Sequence, residues 1–254
     1  MFDVIIIGRG PAGLSASLYT ARAKLKTLII GKDDSALRKA GKIENYFGFS
    51  NAVSGEFLLN EGEKQAKSFG VQIIDDDVIS IEKDDFFSVI TSNGLYTGKA
   101  VLLATGQPQK KIRIENLAKF EGKGVSYCST CDGFFYNNLK VGVLGFKDYA
   151  VHEAIELETY TSNITIYTNG NELDLSEKYI EEANRFRINN KRITKLDGSE
   201  FLQRIFFDDG TSEEIDGVFV AYESASSLDF ARKLGILVDD NSVVVDRNQQ
   251  TNLD

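Results

Sequence analysis

With 254 residues, 42% apolar, 11% aromatic and 26% charged, the chain has a soluble globular profile and room for two domains. Its 38 acidic residues against 29 basic ones give a net charge of −9, which argues against general affinity for nucleic acid or anionic lipid. No apolar run approaches the roughly 18 residues of a membrane-spanning helix.

Met1-Phe2-Asp3 leads directly into Val4-Ile5-Ile6-Ile7, so no secretory leader is expected ahead of the fold. That apolar run has buried-strand character and enters Gly8-Arg9-Gly10-Pro11-Ala12-Gly13, after which Ala16, Leu18, Tyr19 and Ala21 trace a helix. Strand, glycine turn and helix are the setting in which G-x-G-x-x-G points to a dinucleotide. Gly8 permits the tight turn, Gly10 lets the backbone approach a pyrophosphate, and Gly13 lets helix and strand pack closely. The amides at the helix start then face the phosphates.

A second strand, Thr27-Leu28-Ile29-Ile30, ends at Gly31-Lys32-Asp33-Asp34, where Asp33 or Asp34 is a candidate for binding a ribose. Residues 41–49 are too aromatic and glycine-rich for a helix and read as a packed surface loop or as a wall beside a cofactor. An amphipathic helix is expected from Ser54 to Gly70 on the stripe Phe57, Leu58, Ala66 and Phe69. Ser92-Asn93-Gly94 reads as the turn of a hairpin between Phe87-Ser88-Val89-Ile90 and Leu95-Tyr96-Thr97. A buried strand from Ala100 then ends on the small-residue turn Ala104-Thr105-Gly106. The basic group Lys110, Lys111 and Arg113 reads as a solvated loop or as a local patch for an acidic partner.

The only two cysteines stand in Tyr127-Cys128-Ser129-Thr130-Cys131-Asp132-Gly133-Phe134-Phe135. Two intervening residues let the sulfurs meet as a disulfide or open as a dithiol, and a thiol pKa in such pairs commonly falls from about 8.5 to roughly 3.5–7.5. Thiolate chemistry needs a proton donor or acceptor, for which Asp132 is the nearest candidate. A four-ligand zinc site lacks partners, since His152 is the only histidine, and no metal is expected. A purely structural staple is disfavoured because so small a ring removes little chain entropy. Redox-active cysteines are the favoured reading, and a single pair suits the cytoplasm better than a secreted disulfide scaffold does.

After the pair, Leu139-Lys140-Val141-Gly142-Val143-Leu144 runs into Gly145-Phe146-Lys147-Asp148-Tyr149-Ala150 and a helix through Ala154, Ile155 and Leu157. This is a second strand-turn-helix, but Lys147 holds the middle glycine position and takes space that a pyrophosphate needs. The next strand, Ile164-Thr165-Ile166-Tyr167, ends in Thr168-Asn169-Gly170 with no arginine for a 2′-phosphate. His152 is expected on the helix surface. Further strands follow at Arg192-Ile193-Thr194-Lys195-Leu196, Arg204-Ile205-Phe206-Phe207 and Gly217-Val218-Phe219-Val220-Ala221.

The cysteine segment, the turn from Gly8 to Gly13, Ile43-Glu44-Asn45-Tyr46 and Ala104-Thr105-Gly106 together resemble the low-molecular-weight thioredoxin reductases, collinearly over the whole chain. The losses at Lys147, after Tyr167 and in Ala221-Tyr222-Glu223-Ser224-Ala225-Ser226 look most like the ferredoxin-dependent flavin thioredoxin reductases. The resemblance implies an α/β fold of two Rossmann-like domains, an FAD domain with an inserted, degenerate NADPH-type domain. It divides the chain into an FAD-binding part (1–113), a redox-disulfide domain (114–242) and a return to the FAD domain (243–254). It implies FAD on Gly8, Gly10, Pro11, Ala12, Gly13, Asn45, Ala104, Thr105 and Gly106. Cys131 would face the flavin, Cys128 would attack thioredoxin, and Asp132 would shuttle the proton. Ferredoxin is the implied electron donor, with domain rotation about hinges near Ile114-Glu115 and Val243-Val244, and a cytoplasmic homodimer is expected. An NADPH-dependent reductase with an atypical nucleotide site and a non-catalytic flavin-binding docking module are the alternatives. Two further departures stand out: residues 33–39 replace a Gly-Gly-Gln flavin contact, and the chain stops at Asp254 where the family continues into a Gly-Asp segment and a helix.

Overall fold

The structure, a computed structural model, describes residues 1–106, 112–239 and 242–253. It divides into two compact units, Met1–Gln109 and Lys110–Asp254. Lys110 and Lys111 of the basic group lie outside the described residues.

The first unit runs β1 (Phe2–Ile7), α1 (Pro11–Arg22), β2 (Thr27–Ile30), α2 (Gly55–Ser68), β3 (Gln72–Ile74), β4 (Val78–Lys83), β5 (Phe87–Thr91) and β6 (Leu95–Leu103). They form one sheet in the order β3-β2-β1-β6-β5-β4, parallel from β3 to β6 and antiparallel beyond. Ile6 and Ile29 meet Leu14 of α1 and Leu59 and Ala66 of α2 in a buried cluster. The α2 helix begins as its sequence suggests, with the Ser54 hydroxyl accepting from the Phe57 N–H at 3.1 Å. The expected hairpin is present, and Asp76 fastens its turn by accepting from the Asn93 N–H at 3.2 Å and from Nδ2 at 3.0 Å. The strand expected from Ala100 is longer, because β6 serves both the hairpin and the parallel sheet. Gly98 is the crossover: it is paired with Phe87 on one side and Phe2 on the other, and a Cβ there would lie 2.8 Å from Ile5 Cγ1. Nor is β6 fully buried. Leu102 stands beside Ile6 in the register yet is 36% exposed, since α1 packs chiefly on β1 and β2.

The second unit contains β7 (Val125–Ser126), α3 (Ser129–Asp132), β8 (Val141–Leu144), α4 (Asp148–Leu157), β9 (Ile164–Tyr167), α5 (Glu177–Ala183), β10 (Arg187–Asn189), β11 (Ile193–Asp197), β12 (Arg204–Phe207), β13 (Ser212–Glu214), β14 (Gly217–Val220), α6 (Ser227–Lys233), β15 (Val238–Asp239) and β16 (Ser242–Val243). Its parallel sheet has the order β10-β9-β8-β14-β7, and β11-β12-β13 form an antiparallel meander. Ile193, Leu196, Ile205 and Phe207 from the meander bury themselves against Val125, Leu144, Tyr167 and Val218 of the parallel sheet. The two units thus repeat one arrangement, strand-turn-helix-strand-helix-strand with a fourth parallel strand beside the first. Residues 242–253 are tied into the second unit: Val244 N–H donates to Leu237 O at 2.9 Å, and Asn252 Oδ1 accepts from Leu237 N–H at 2.8 Å.

Candidate active site

Cys128 and Cys131 form a disulfide with their Cα atoms 5.3 Å apart. Cys128 is the N-cap of α3, and its sulfur accepts from the Cys131 N–H at 3.1 Å. Cys128 is only 2% exposed, whereas Cys131 lies at the surface with its sulfur 3.7 Å from the Arg232 carbonyl oxygen. The two sulfurs therefore differ in polar surroundings as well as access. An N–H points at Cys128 and favours a thiolate, while a carbonyl beside Cys131 favours a thiol that can donate to it. Asp132 does stand at the pair: its N–H donates to Cys128 O at 3.2 Å, and its carboxylate accepts from the Ser126 hydroxyl at 2.6 Å. Ser126 in turn accepts from the Cys128 N–H at 3.1 Å, so one buried hydroxyl links the first cysteine to the acid. Sequence reasoning missed Ser126, although a serine two residues before a cysteine on a short strand was visible.

It also missed the cluster that lies beneath the pair. Ser129 donates from its N–H to Glu153 at 3.2 Å and from its hydroxyl to Glu156, and Thr130 donates to Glu156 at 3.3 Å. Lys233 from α6 pairs with both glutamates. His152, expected on the helix surface, is partly covered: its side chain is 17% exposed, with Nε2 3.2 Å from Glu156 Oε1 and Nδ1 3.5 Å from the Tyr179 hydroxyl. Helix α5, which no periodicity in the sequence announced, supplies that tyrosine and covers the ring.

In the first unit, the turn from Gly8 to Gly13 is built as its sequence suggests. Gly8 has φ +120°, and a Cβ on it would strike Ala104 O at 2.2 Å. A Cβ on Gly13 would strike Gly8 O at 2.1 Å, whereas one on Gly10 would meet only Ser35 Oγ, at 3.4 Å. The Gly8 and Gly13 positions are thus demanded by packing, and Gly10 keeps a face open. Pro11 starts α1, where no side chain caps the helix and no acid occupies the first turn. Ala104, bonded through its N–H to Ile7 O at 2.7 Å, brings Ala104-Thr105-Gly106 against this turn. Open backbone at an uncapped helix start fits the diphosphate of FAD. Asn45 is exposed on the loop closed by the Ile43–Val53 bridge. Asp33, one of two candidate ribose ligands, is paired with Arg38 instead.

The corresponding turn of the second unit is occupied by protein. Gly145 is retained for packing, since a Cβ there would strike Ala221 O at 2.2 Å. Lys147 pairs with Asp174 in a parallel bridge, and the Asp174 N–H donates to Phe146 O at 2.9 Å. Asp148 is buried at the first position of α4, where its carboxylate accepts from the Ser176 N–H at 2.8 Å. A carboxylate at the start of the helix satisfies the dipole that would otherwise draw a phosphate.

A glycine turn open to a dinucleotide in one α/β unit and a two-residue-spaced disulfide in a second are the architecture of a flavin-type disulfide oxidoreductase. The chain belongs to the pyridine nucleotide-disulphide oxidoreductase family, whose model matches residues 2–254. Within that family it is similar to the low-molecular-weight thioredoxin reductases, which bind FAD. It is 36% identical over 186 residues to the thioredoxin reductase of Streptomyces coelicolor, covering 71% of this chain but 58% of that relative, less than two thirds of its length. Among solved structures, the atypical thioredoxin reductase TRi of Desulfovibrio vulgaris Hildenborough aligns with TM-score 0.94 at 38% identity, covering 100% of this chain and 86% of that one. A ferredoxin-flavin thioredoxin reductase of Clostridium acetobutylicum aligns with TM-score 0.66 at 29% identity, again covering 100% and 86%.

Proposed function

We propose that this protein is a flavoprotein thioredoxin-disulfide reductase that draws its electrons from ferredoxin and not from NADPH. The observation that carries the second half is the closed turn of the second unit. Asp148 and the backbone of residues 174 and 176 are bonded across the turn at the start of α4, the place in a dinucleotide-binding unit that a diphosphate uses. Ferredoxin as the donor is supported by the likeness to the Clostridium acetobutylicum ferredoxin-flavin thioredoxin reductase. In this reading residues 1–113 hold FAD through Gly8, Gly10, Pro11, Ala12, Gly13, Asn45, Ala104, Thr105 and Gly106. Residues 114–242 carry the redox disulfide, and 243–254 belong in sequence to the return of the FAD domain. The active form is a cytoplasmic homodimer.

FAD, when bound and reduced by ferredoxin one electron at a time, would supply the two electrons that open the disulfide, with one proton taken up so that Cys128 becomes a thiolate and Cys131 a thiol. Cys131, the more exposed cysteine, is the one that would accept those electrons. Cys128 is the sulfur whose thiolate the N–H of Cys131 stabilises, and it is the nucleophile. Its thiolate attacks one sulfur of the thioredoxin disulfide, forming a mixed disulfide and releasing the other sulfur as a thiolate. Cys131 loses its proton to Asp132 and attacks Cys128, which releases the second thioredoxin thiolate and restores the Cys128–Cys131 bond. Asp132, oriented by Ser126, returns the proton to the departing sulfur. Because Cys128 is buried, reaching a protein substrate requires a conformational change, for which Ile114-Glu115 and Val243-Val244 are hinge candidates.

The test is anaerobic stopped-flow of the FAD-loaded protein with NADPH and, separately, with reduced ferredoxin, followed by addition of oxidised thioredoxin. Loss of flavin absorbance with ferredoxin alone, and its return on adding thioredoxin, is expected. Rapid bleaching by NADPH would overturn the choice of donor. Thioredoxin left oxidised after bleaching would overturn the choice of substrate.

A further inference from the structure

Both residues that separate the cysteines, Ser129 and Thr130, are bonded to carboxylates on α4. Those carboxylates share one cation. The Lys233 side chain is 6% exposed and that of Glu153 3%, with Lys233 reaching Glu153 and, at 3.0 Å, Glu156. The residue before it, Arg232, offers its carbonyl to Cys131. One turn of α6 therefore touches the second sulfur through its backbone and holds the spacer residues through its side chain.

Buried charges cost several kcal/mol each unless paired, so an ion cluster in this position needs each member. Burial pulls the Lys233 ammonium down, but the two carboxylates outweigh it and hold the ammonium above its ordinary value. Burial pushes the Glu153 carboxyl up against the pull of Lys233. His152 meets Glu156 from the same helix, and Tyr149 lies with its ring 5.6 Å under Lys233 Nζ. From α5 comes Tyr179, behind His152, and from α6 the Asp229–Arg232 pair at 3.9 Å. Asp132, on α3 itself, is engaged by Ser126.

We propose that Lys233, clamped between Glu153 and Glu156, is a positioning residue for the redox pair: it fixes the two spacer residues and offsets the carboxylate charge that would otherwise oppose a cysteine thiolate. The proposal rests on the reductase reading for its purpose, but not for its test. Opening the disulfide places new negative charge on a sulfur of the pair whose spacer residues this cluster holds, and its ease depends on the charge of the cluster. Without Lys233, the two carboxylates repel the thiolate and the thiol pKa rises. Without the charge of Glu153, it falls.

The experiment is the pH profile of iodoacetamide modification at Cys131 in the reduced, FAD-loaded protein, read by mass spectrometry. Lys233→Met should move the midpoint up by about one pH unit, the order of magnitude for losing one nearby unit charge. Lys233→Arg should restore it, and the isosteric Glu153→Gln should move it down. Glu153→Gln carries the test alone if Lys233→Met fails to fold. An unchanged midpoint in either folded variant overturns the proposal. Opposite shifts with no thioredoxin reduction by the parent protein would leave the clamp standing and sink the reductase reading. Reduction of thioredoxin with unmoved midpoints would do the reverse.

Discussion

Ser126 donates to the Asp132 carboxylate at 2.6 Å while accepting from the Cys128 N–H at 3.1 Å, so the acid and the first cysteine share one buried hydroxyl. Ser126→Ala should lower stability by about 2 kcal/mol, the cost of leaving a charged acceptor without its donor. Asp132→Asn should keep the fold and slow thioredoxin reduction by about 10²-fold or more, the usual share of a positioned acid-base group. Urea unfolding and steady-state turnover separate the two effects.

The two cysteines should fail differently. Cys131→Ser leaves the nucleophile and removes the resolving sulfur, so a stable mixed disulfide with thioredoxin should accumulate on non-reducing gels. Cys128→Ser should give no such adduct through the native pair, and neither variant should turn over. Full biological activity in both would favour a docking module over an enzyme.

Arg9 grips the glycine turn from outside. Its guanidinium binds Glu63 through Nε at 2.7 Å and Nη2 at 2.8 Å and reaches Asp75 at 2.9 Å. The hydrogen bond to Glu63, stronger in effect than partial burial, holds the guanidinium above its ordinary pKa. Glu63→Ala should destabilise the first unit by about 1–2 kcal/mol, because it removes two charged hydrogen bonds and leaves the partly buried cation with Asp75 alone. Thermal unfolding measures that loss, and FAD release on dilution should accelerate with it.

Acid should find the α4 cluster. Burial raises the Glu156 carboxyl, but bonds from His152, Lys233 and Ser129 outweigh it and bring its pKa from 4.5 to about 2. A pKa depressed in the folded state contributes stability that is complete above 4.5 and is lost as pH falls toward about 2. Glu153, raised by burial, acts with the opposite sign. The urea midpoint of Glu156→Gln should therefore lie below that of the parent at pH 6 and converge with it near the acid end.

Lys147→Gly by itself should not create an NADPH site. The Asp148 carboxylate and the hydrogen bonds from Asp174 and Ser176 remain in place after that change. Calorimetry should show no NADPH binding to the parent or the variant, and binding restored by the single change would place the obstruction in the lysine side chain.

Several features of this molecule were legible because their signals are local. The glycines of the first turn, the Ser92-Asn93-Gly94 hairpin and the cysteine spacing each announce themselves within a few residues. The closed second turn was only half legible: Lys147 could be seen, but not the return of Asp174 and Ser176 across it. Lys233 and Glu153 lie 80 residues apart, and no periodicity joins them. His152 was misjudged for the same reason, because the tyrosine that covers it comes from a later helix. Helix α6 did carry a sign that went unread. Ser226 and Asp229 form a reciprocal capping box, with the Ser226 N–H donating to Asp229 Oδ2 at 2.7 Å.

Gly8 and Gly145 press their α-carbons against the same kind of neighbour, the carbonyl oxygens of Ala104 and Ala221. A lineage that gave up its coenzyme would still be obliged to keep Gly145, since even one methyl group there would lever the adjoining strands apart. The leading glycine of such a fingerprint is therefore a matter of carpentry, and only an unobstructed helix mouth beyond it speaks for an occupant.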